Sequence, residues 1–122
     1  MREQNRPCLN AGIWISFPVI TDISLLKKTF PKETEFRFYE DCIEASVVEV
    51  KDFYDWEVTA VLTQLFSLCD LDAIKQISLK FGGKIHIGIW YYSYGVNPAI
   101  IFEGENMEII HKLNADLSID PY

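Results

Sequence analysis

The chain has 122 residues, 49% hydrophobic and 24% charged, with a formal net charge of −7. That size and balance describe one globular domain that buries about two-thirds of its unfolded surface without staples. No stretch approaches the ~20 apolar residues of a membrane span, and "MREQNRPCLNAG" lacks the apolar core of a secretory signal. Three widely spaced cysteines (Cys8, Cys42, Cys69) and two histidines suit neither a disulfide framework nor a zinc site. The expectation is a cytoplasmic protein with no metal, no cofactor and no membrane contact.

In chain order, residues 1–11 read as a loosely ordered lead-in. "GIWISFPV" alternates Ile13, Ile15 and Phe17 against Trp14, Ser16 and Pro18, which is the period of a strand. "TDISLLKKTFP" follows as a helix capped by Thr21 or Asp22, with Ile23, Leu26 and Phe30 on one side and Pro31 as its stop. "ETEFRFYE" and "IEASVVEVKDFY" are two strands joined through "EDC", so they form an antiparallel hairpin.

Asp55 is placed to cap the next helix, whose stripe is Val58, Val61, Leu62, Leu65, Phe66 and Cys69. Asp70 caps another through Leu71, Ile74, Ile77 and Phe81, ended by Gly82 and Gly83; "SLKF" within it is equally compatible with a strand. "KIHIGIWYY" is a long strand with Ile85, Ile87 and Ile89 on one side. "SYGVNP" is a turn and "AIIFE" a further strand. "GENMEIIHKLN" is a short helix burying Met107, Ile110 and Leu113 with Asn114 at its stop, and "ADLSIDPY" a final strand.

The order β-α-β-β-α-α-β-β-α-β predicts an α+β domain. Its sheet has about six strands, mostly antiparallel, with helices on one face. "WISFPVITDISLLKKTF" and "AIIFEGENMEIIHKLNADLSI" are loosely alike and hint at a repeated strand–helix–strand unit.

From "EVTAVLTQLFSL" to the close "LNADLSIDPY", residues 56–122 resemble the bacterial domain of unknown function family 4279. The resemblance rests on the closing helix, Ala115, the alternation of Leu117 and Ile119, and the ending Asp120-x-Tyr122. It implies a small bacterial α+β protein and carries no activity with it.

Charge is concentrated. Glu33 to Glu57 contains nine acids and two bases and so carries −7 alone. Such acidity repels phosphate backbones, which excludes nucleic acid as the expected partner and favours a basic protein. Tyr39, Glu40, Asp41, Asp52, Tyr54, Asp55 and Glu57 are the candidate contact set, combining aromatic anchors with steering charge. The alternative is a merely solubilising hairpin, with Phe53 and Trp56 buried as staples onto the following helix.

On this reading the chain is no enzyme but an acidic protein-binding domain. Its sharper form is an immunity or antitoxin protein that covers the basic cleft of a toxin such as a nuclease. It requires the hairpin's carboxylates to share one side.

The rival reading uses the second face of the long strand, with Trp14, His86, Trp90 and Tyr92 lining a small-molecule or sensory site in which His86 handles a proton. Cover by the fold itself, or by a second copy in a homodimer, explains those rings without a ligand. His111, in a last helical turn, complements the helix dipole. Cys42 lies among acids that raise its pKa, and Cys69 packs as core.

Overall fold

In the computed structural model, residues 8–19, 21–54, 57–92 and 100–121 are described. The elements are β1 (Cys8–Pro18), α1 (Ile23–Thr29), β2 (Glu35–Phe38), β3 (Cys42–Phe53), α2 (Val58–Ser67), α3 (Leu71–Phe81), β4 (Lys84–Tyr92), α4 (Gly104–Leu113) and β5 (Asp116–Pro121). They make one α+β domain: a five-stranded sheet in the order β2-β3-β1-β4-β5, with the helices packed on one face.

The core follows from strand alternation. Leu9, Ala11, Ile13, Ile15 and Phe17 of β1, Ile43, Ala45 and Val50 of β3, and Ile85, Ile87 and Ile89 of β4 are all buried under the helices. Helix α2 presses Val58, Val61, Leu62 and Leu65 into them with no measurable exposure. Phe17 meets Phe30 and Phe81 edge-on at 6.1 Å, a geometry favoured by ring quadrupoles.

Local signals set most helix ends. Asp22 accepts from the N–H groups of Ser24 and Leu25, and Asp70 from that of Ala73, so each satisfies donors that a first turn leaves unpaired. At the end of α3, Gly82 takes the left-handed conformation (φ 67°), and the Gly83 N–H donates 2.7 Å to the carbonyl of Ser78. Asn114 does the same work after α4 at φ 50°.

Several expectations are corrected. The sheet has five strands, because "AIIFE" is not one: Ile101 and Phe102 have no regular structure, and Ile101 is 65% exposed. Strand β4 has β1 on one side and β5 on the other, so the run that follows it cannot return to pair with β4.

The sheet is mostly antiparallel as expected, and the last strand alone pairs parallel, to β4. The long connection carrying α4 permits this, since a parallel return needs a crossover of a dozen residues or more. The repeat therefore does not begin at "AIIFE"; the C-terminal strand–helix–strand unit is β4–α4–β5. Strand β1 starts at Cys8, so Cys8–Ala11 are strand instead of lead-in. The N-cap of α2 is Glu57, without a side-chain cap bond; Asp55 and Trp56 lie outside the described residues, as does the whole of "SYGVNP". Over "SLKF" the chain is helical.

Met107 is half exposed rather than inward, and its neighbour Asn106 is buried instead, at 4% exposure. Asn106 Nδ2 donates to Thr59 Oγ1 at 2.9 Å and to the Thr59 carbonyl at 3.3 Å, tying α4 to α2. Asn106→Ala leaves this link unmade and is expected to cost about 1–2 kcal/mol in urea unfolding. Met107→Ala, on the wet side, is expected to stay within about 0.5 kcal/mol. Equal losses from the two would show that α4 is rotated from this placement.

Candidate functional site

The face of the sheet away from the helices carries no covering element among the described residues. Its side chains fall into rows fixed by register. One row crosses all five strands: Glu35 of β2 is opposite Ser46 of β3, Ser46 opposite Trp14 of β1, Trp14 opposite His86 of β4, and His86 opposite Asp116 of β5. To one side run Arg37, Glu44, Ser16 and Lys84; to the other, Glu49, Gly12, Gly88 and Ser118, and then Asn10, Trp90 and Asp120.

The aromatic residues of this face stack on one another. The ring of Trp14 lies 5.6 Å from that of His86 and 5.9 Å from that of Trp90, each pair inclined by 23°. Gly88 makes the stack possible. A Cβ there would stand 2.8 Å from both tryptophan rings, closer than any real methyl group approaches, so the missing side chain is the space the rings occupy. Tyr92 follows two residues beyond Trp90, opposite Cys8.

Asp116 flanks the stack. Its carboxylate is 3.5 Å from His86 Nδ1 and 3.5 Å from Lys84 Nζ, and Lys84 also donates to the Asn114 carbonyl at 2.8 Å. Sequence spacing gives no link between residues 86 and 116; the parallel β4–β5 pairing creates it. On the other flank a shallow, open depression of about 220 Å³ is lined by Trp14, Trp90, Glu35, Glu44, Glu49, Ser46 and Arg37. Lys51 stands 3.5 Å from Glu49 at its margin. Ligand clefts generally enclose some 300–1,000 Å³, so this hollow suits one side chain better than a whole small molecule.

The hairpin set does not gather. Tyr39, Glu40 and Asp41 form the β2–β3 turn at one end of β3, while Asp52, Tyr54 and Glu57 lie at or beyond its other end. Twelve strand residues at ~3.3 Å each put roughly 35 Å between the ends. That is several times the ~8 Å over which salt screens exposed charge at physiological ionic strength, so the two groups do not act as one field. Asp52 also has a backbone duty. It sits in a bulge of β3 with φ 56°, its N–H donating 2.7 Å to Asn10 Oδ1. Asp55 lies outside the described residues.

All three thiols are held above the ordinary value of 9.0. Burial raises Cys8 first and then Asp52; partial burial raises Cys42, followed by the charges of Asp41 and Glu44; burial raises Cys69, followed by Asp70. Among the described residues no three His, Cys, Asp or Glu side chains gather as metal ligands, and no helix is long and apolar enough to cross a membrane. Compared with protein-family models, curated proteins and solved structures, the chain matches none.

Two measurements check this geometry. Gly88→Ala is expected to force the tryptophan rings apart, with a loss of about 1–3 kcal/mol and a shifted tryptophan emission. Gly12→Ala, whose nearest contact would be 3.4 Å, is expected to be mild. Iodoacetamide labelling of Cys42 is expected to rise with a midpoint above pH 9, because a raised pKa leaves less thiolate at any given pH; a midpoint below 9 would contradict the acidic turn.

Proposed function

We propose that this chain is a non-enzymatic, acidic protein-binding domain, and that it docks a basic protein on the open face of its sheet. The observation that carries the reading is the five-strand row Glu35–Ser46–Trp14–His86–Asp116, which is aromatic at its centre and anionic at both ends. Interfaces favour this composition, with large rings in the middle and charge at the rim.

The size also suits. Strands of 11, 4, 12, 9 and 6 residues, at ~3.3 Å per residue and ~4.8 Å spacing, present roughly 670 Å², of the order of the ~800 Å² each partner contributes to a standard interface. The stack supports protein over a small molecule: adjacent rings are 5.6 and 5.9 Å apart, so no slot opens between them for a flat ligand. The shallow depression beside them excludes little water, and the His86–Asp116 pair lies on the opposite flank with its carboxylate largely exposed, where acid–base chemistry gains little.

The sharper form is an immunity or antitoxin protein that covers the substrate cleft of a basic toxin, such as a nuclease, in a bacterial cytoplasm. A cleft built to attract phosphate also attracts carboxylates, and opposite charge speeds capture. The dispersal of Glu40, Asp41, Asp52 and Glu57 removes the hairpin contact on which the sequence reading depended, and the proposal rests instead on the open-face residues Trp14, Trp90, Glu35, Glu44 and Glu49. The resemblance of residues 56–122 to family 4279 supports a bacterial origin only.

Co-expression with the product of the adjoining reading frame tests the reading. The expected result is a basic partner that co-elutes with this protein and loses toxicity in its presence. Glu44→Lys with Glu49→Lys is expected to slow association at least ten-fold at low salt, with the effect shrinking as salt rises. Asp41→Lys should change the rate less than two-fold. A neighbour that does not bind, or binding indifferent to the open-face pair, sinks the assignment.

A further inference from the structure

The depression beside the tryptophans specifies the partner more closely than acidity does. We infer that it receives one arginine side chain of the docked protein, the guanidinium lying against Trp14 and Trp90 and bonded by the carboxylates around it. The inference rests on the docking face proposed above and names what enters it.

Three observations converge on a planar cation. First, Trp14 and Trp90 both line the hollow, and indole π-systems attract a cation, a planar guanidinium more often than an ammonium. Second, the carboxylates surround Trp14. Ser46 is directly opposite it, Glu35 stands beyond Ser46, and Glu44 and Glu49 are opposite Ser16 and Gly12, Trp14's neighbours two residues away on the same face. Diagonal cross-strand neighbours lie about 7–8 Å apart, within reach of long side chains. A guanidinium with five donors in a fixed fork can serve several acceptors arranged in this way, whereas an ammonium acts as a point charge. Third, the lining holds three carboxylates against the single guanidinium of Arg37, and Lys51 at the margin pairs with Glu49, so the hollow retains negative charge for an incoming cation.

Other occupants fit less well. A second copy presenting the same face would bring Glu35, Glu44 and Glu49 towards the partner's Asp116 and Asp120 or towards one another. An apolar side chain would leave carboxylates facing it without a counter-charge.

Titration of the purified protein with deca-arginine and deca-lysine peptides, read by tryptophan fluorescence at low ionic strength, tests the inference. Deca-arginine is expected to bind at least ten-fold more tightly than deca-lysine. Glu35→Gln combined with Glu49→Gln is expected to erase most of that preference, while Glu40→Gln with Asp41→Asn at the hairpin turn leaves it within two-fold. These changes are isosteric and exposed, and a circular-dichroism melt confirms that the fold is kept.

Equal affinity for the two peptides, or equal loss from the turn variants, overturns the arginine site while leaving a basic partner standing. Binding of neither peptide overturns both. Arginine preference without capture of the neighbouring gene's product overturns only the toxin-directed reading. Concentration-dependent sedimentation abolished by the Glu35 and Glu49 changes would assign the face to a second copy instead.

Discussion

Helices on one face of a sheet satisfy only half of its side chains, and the rest of this molecule follows from how the other half is managed. The strands bury Ile, Leu, Val and Phe beneath α2 and its neighbours, and alternation then sends every second residue to the open face. There, polar residues alone would give a solubilising surface. This chain instead places two tryptophans and a histidine at the centre and removes the side chain at Gly88 so that the rings can lie over the backbone. The stack shields ring faces from water that a lone indole would expose, while the rows on either side supply carboxylates.

Electrostatics at this scale depends on where charge is placed more than on how much is present. The stretch from Glu33 to Glu57 carries nine acids, yet an extended strand disperses them. Glu40 and Asp41 go to one end, Asp52 and Glu57 to the other, and Glu44 and Glu49 to the open face. Screening keeps these groups independent. Glu44 and Glu49 share the open face with Glu35 of the adjacent β2, while Asp116 and Asp120 of β5 carry charge on the far side of the stack. A surface assembled from five strands replaces the surface that a single hairpin suggested.

The fold was legible wherever the signal was local. Alternation marked β1, β3 and β4. The apolar stripe marked α2, and Asp22, Asp70, Gly82 and Asn114 marked helix ends through hydrogen bonds and backbone conformation close to them in sequence. The failures were of another kind. "AIIFE" has the composition of a strand, but pairing depends on a free edge that composition does not report. Met107 and Asn106 exchanged places because a one-residue rotation of a short helix is beyond what an approximate stripe can resolve. At the site, Trp14, His86 and Trp90 were visible as one aromatic face, since two of them share a strand. Glu35, Ser46 and Asp116 were not, because only register brings residues 35, 46, 14, 86 and 116 into line.

The two margins of the sheet bear on how the domain meets its neighbours. Strand β2 is four residues long with two charged side chains, and β5 runs six residues and ends at Pro121. Short, charged or proline-ended borders offer a poor template for further strands. Lateral growth of the sheet into aggregates is thereby discouraged at both ends, while the rings at the centre of the open face half-bury one another. Among the described residues the borders are thus closed by strand length and side-chain choice alone, with no covering helix or loop needed to blunt them.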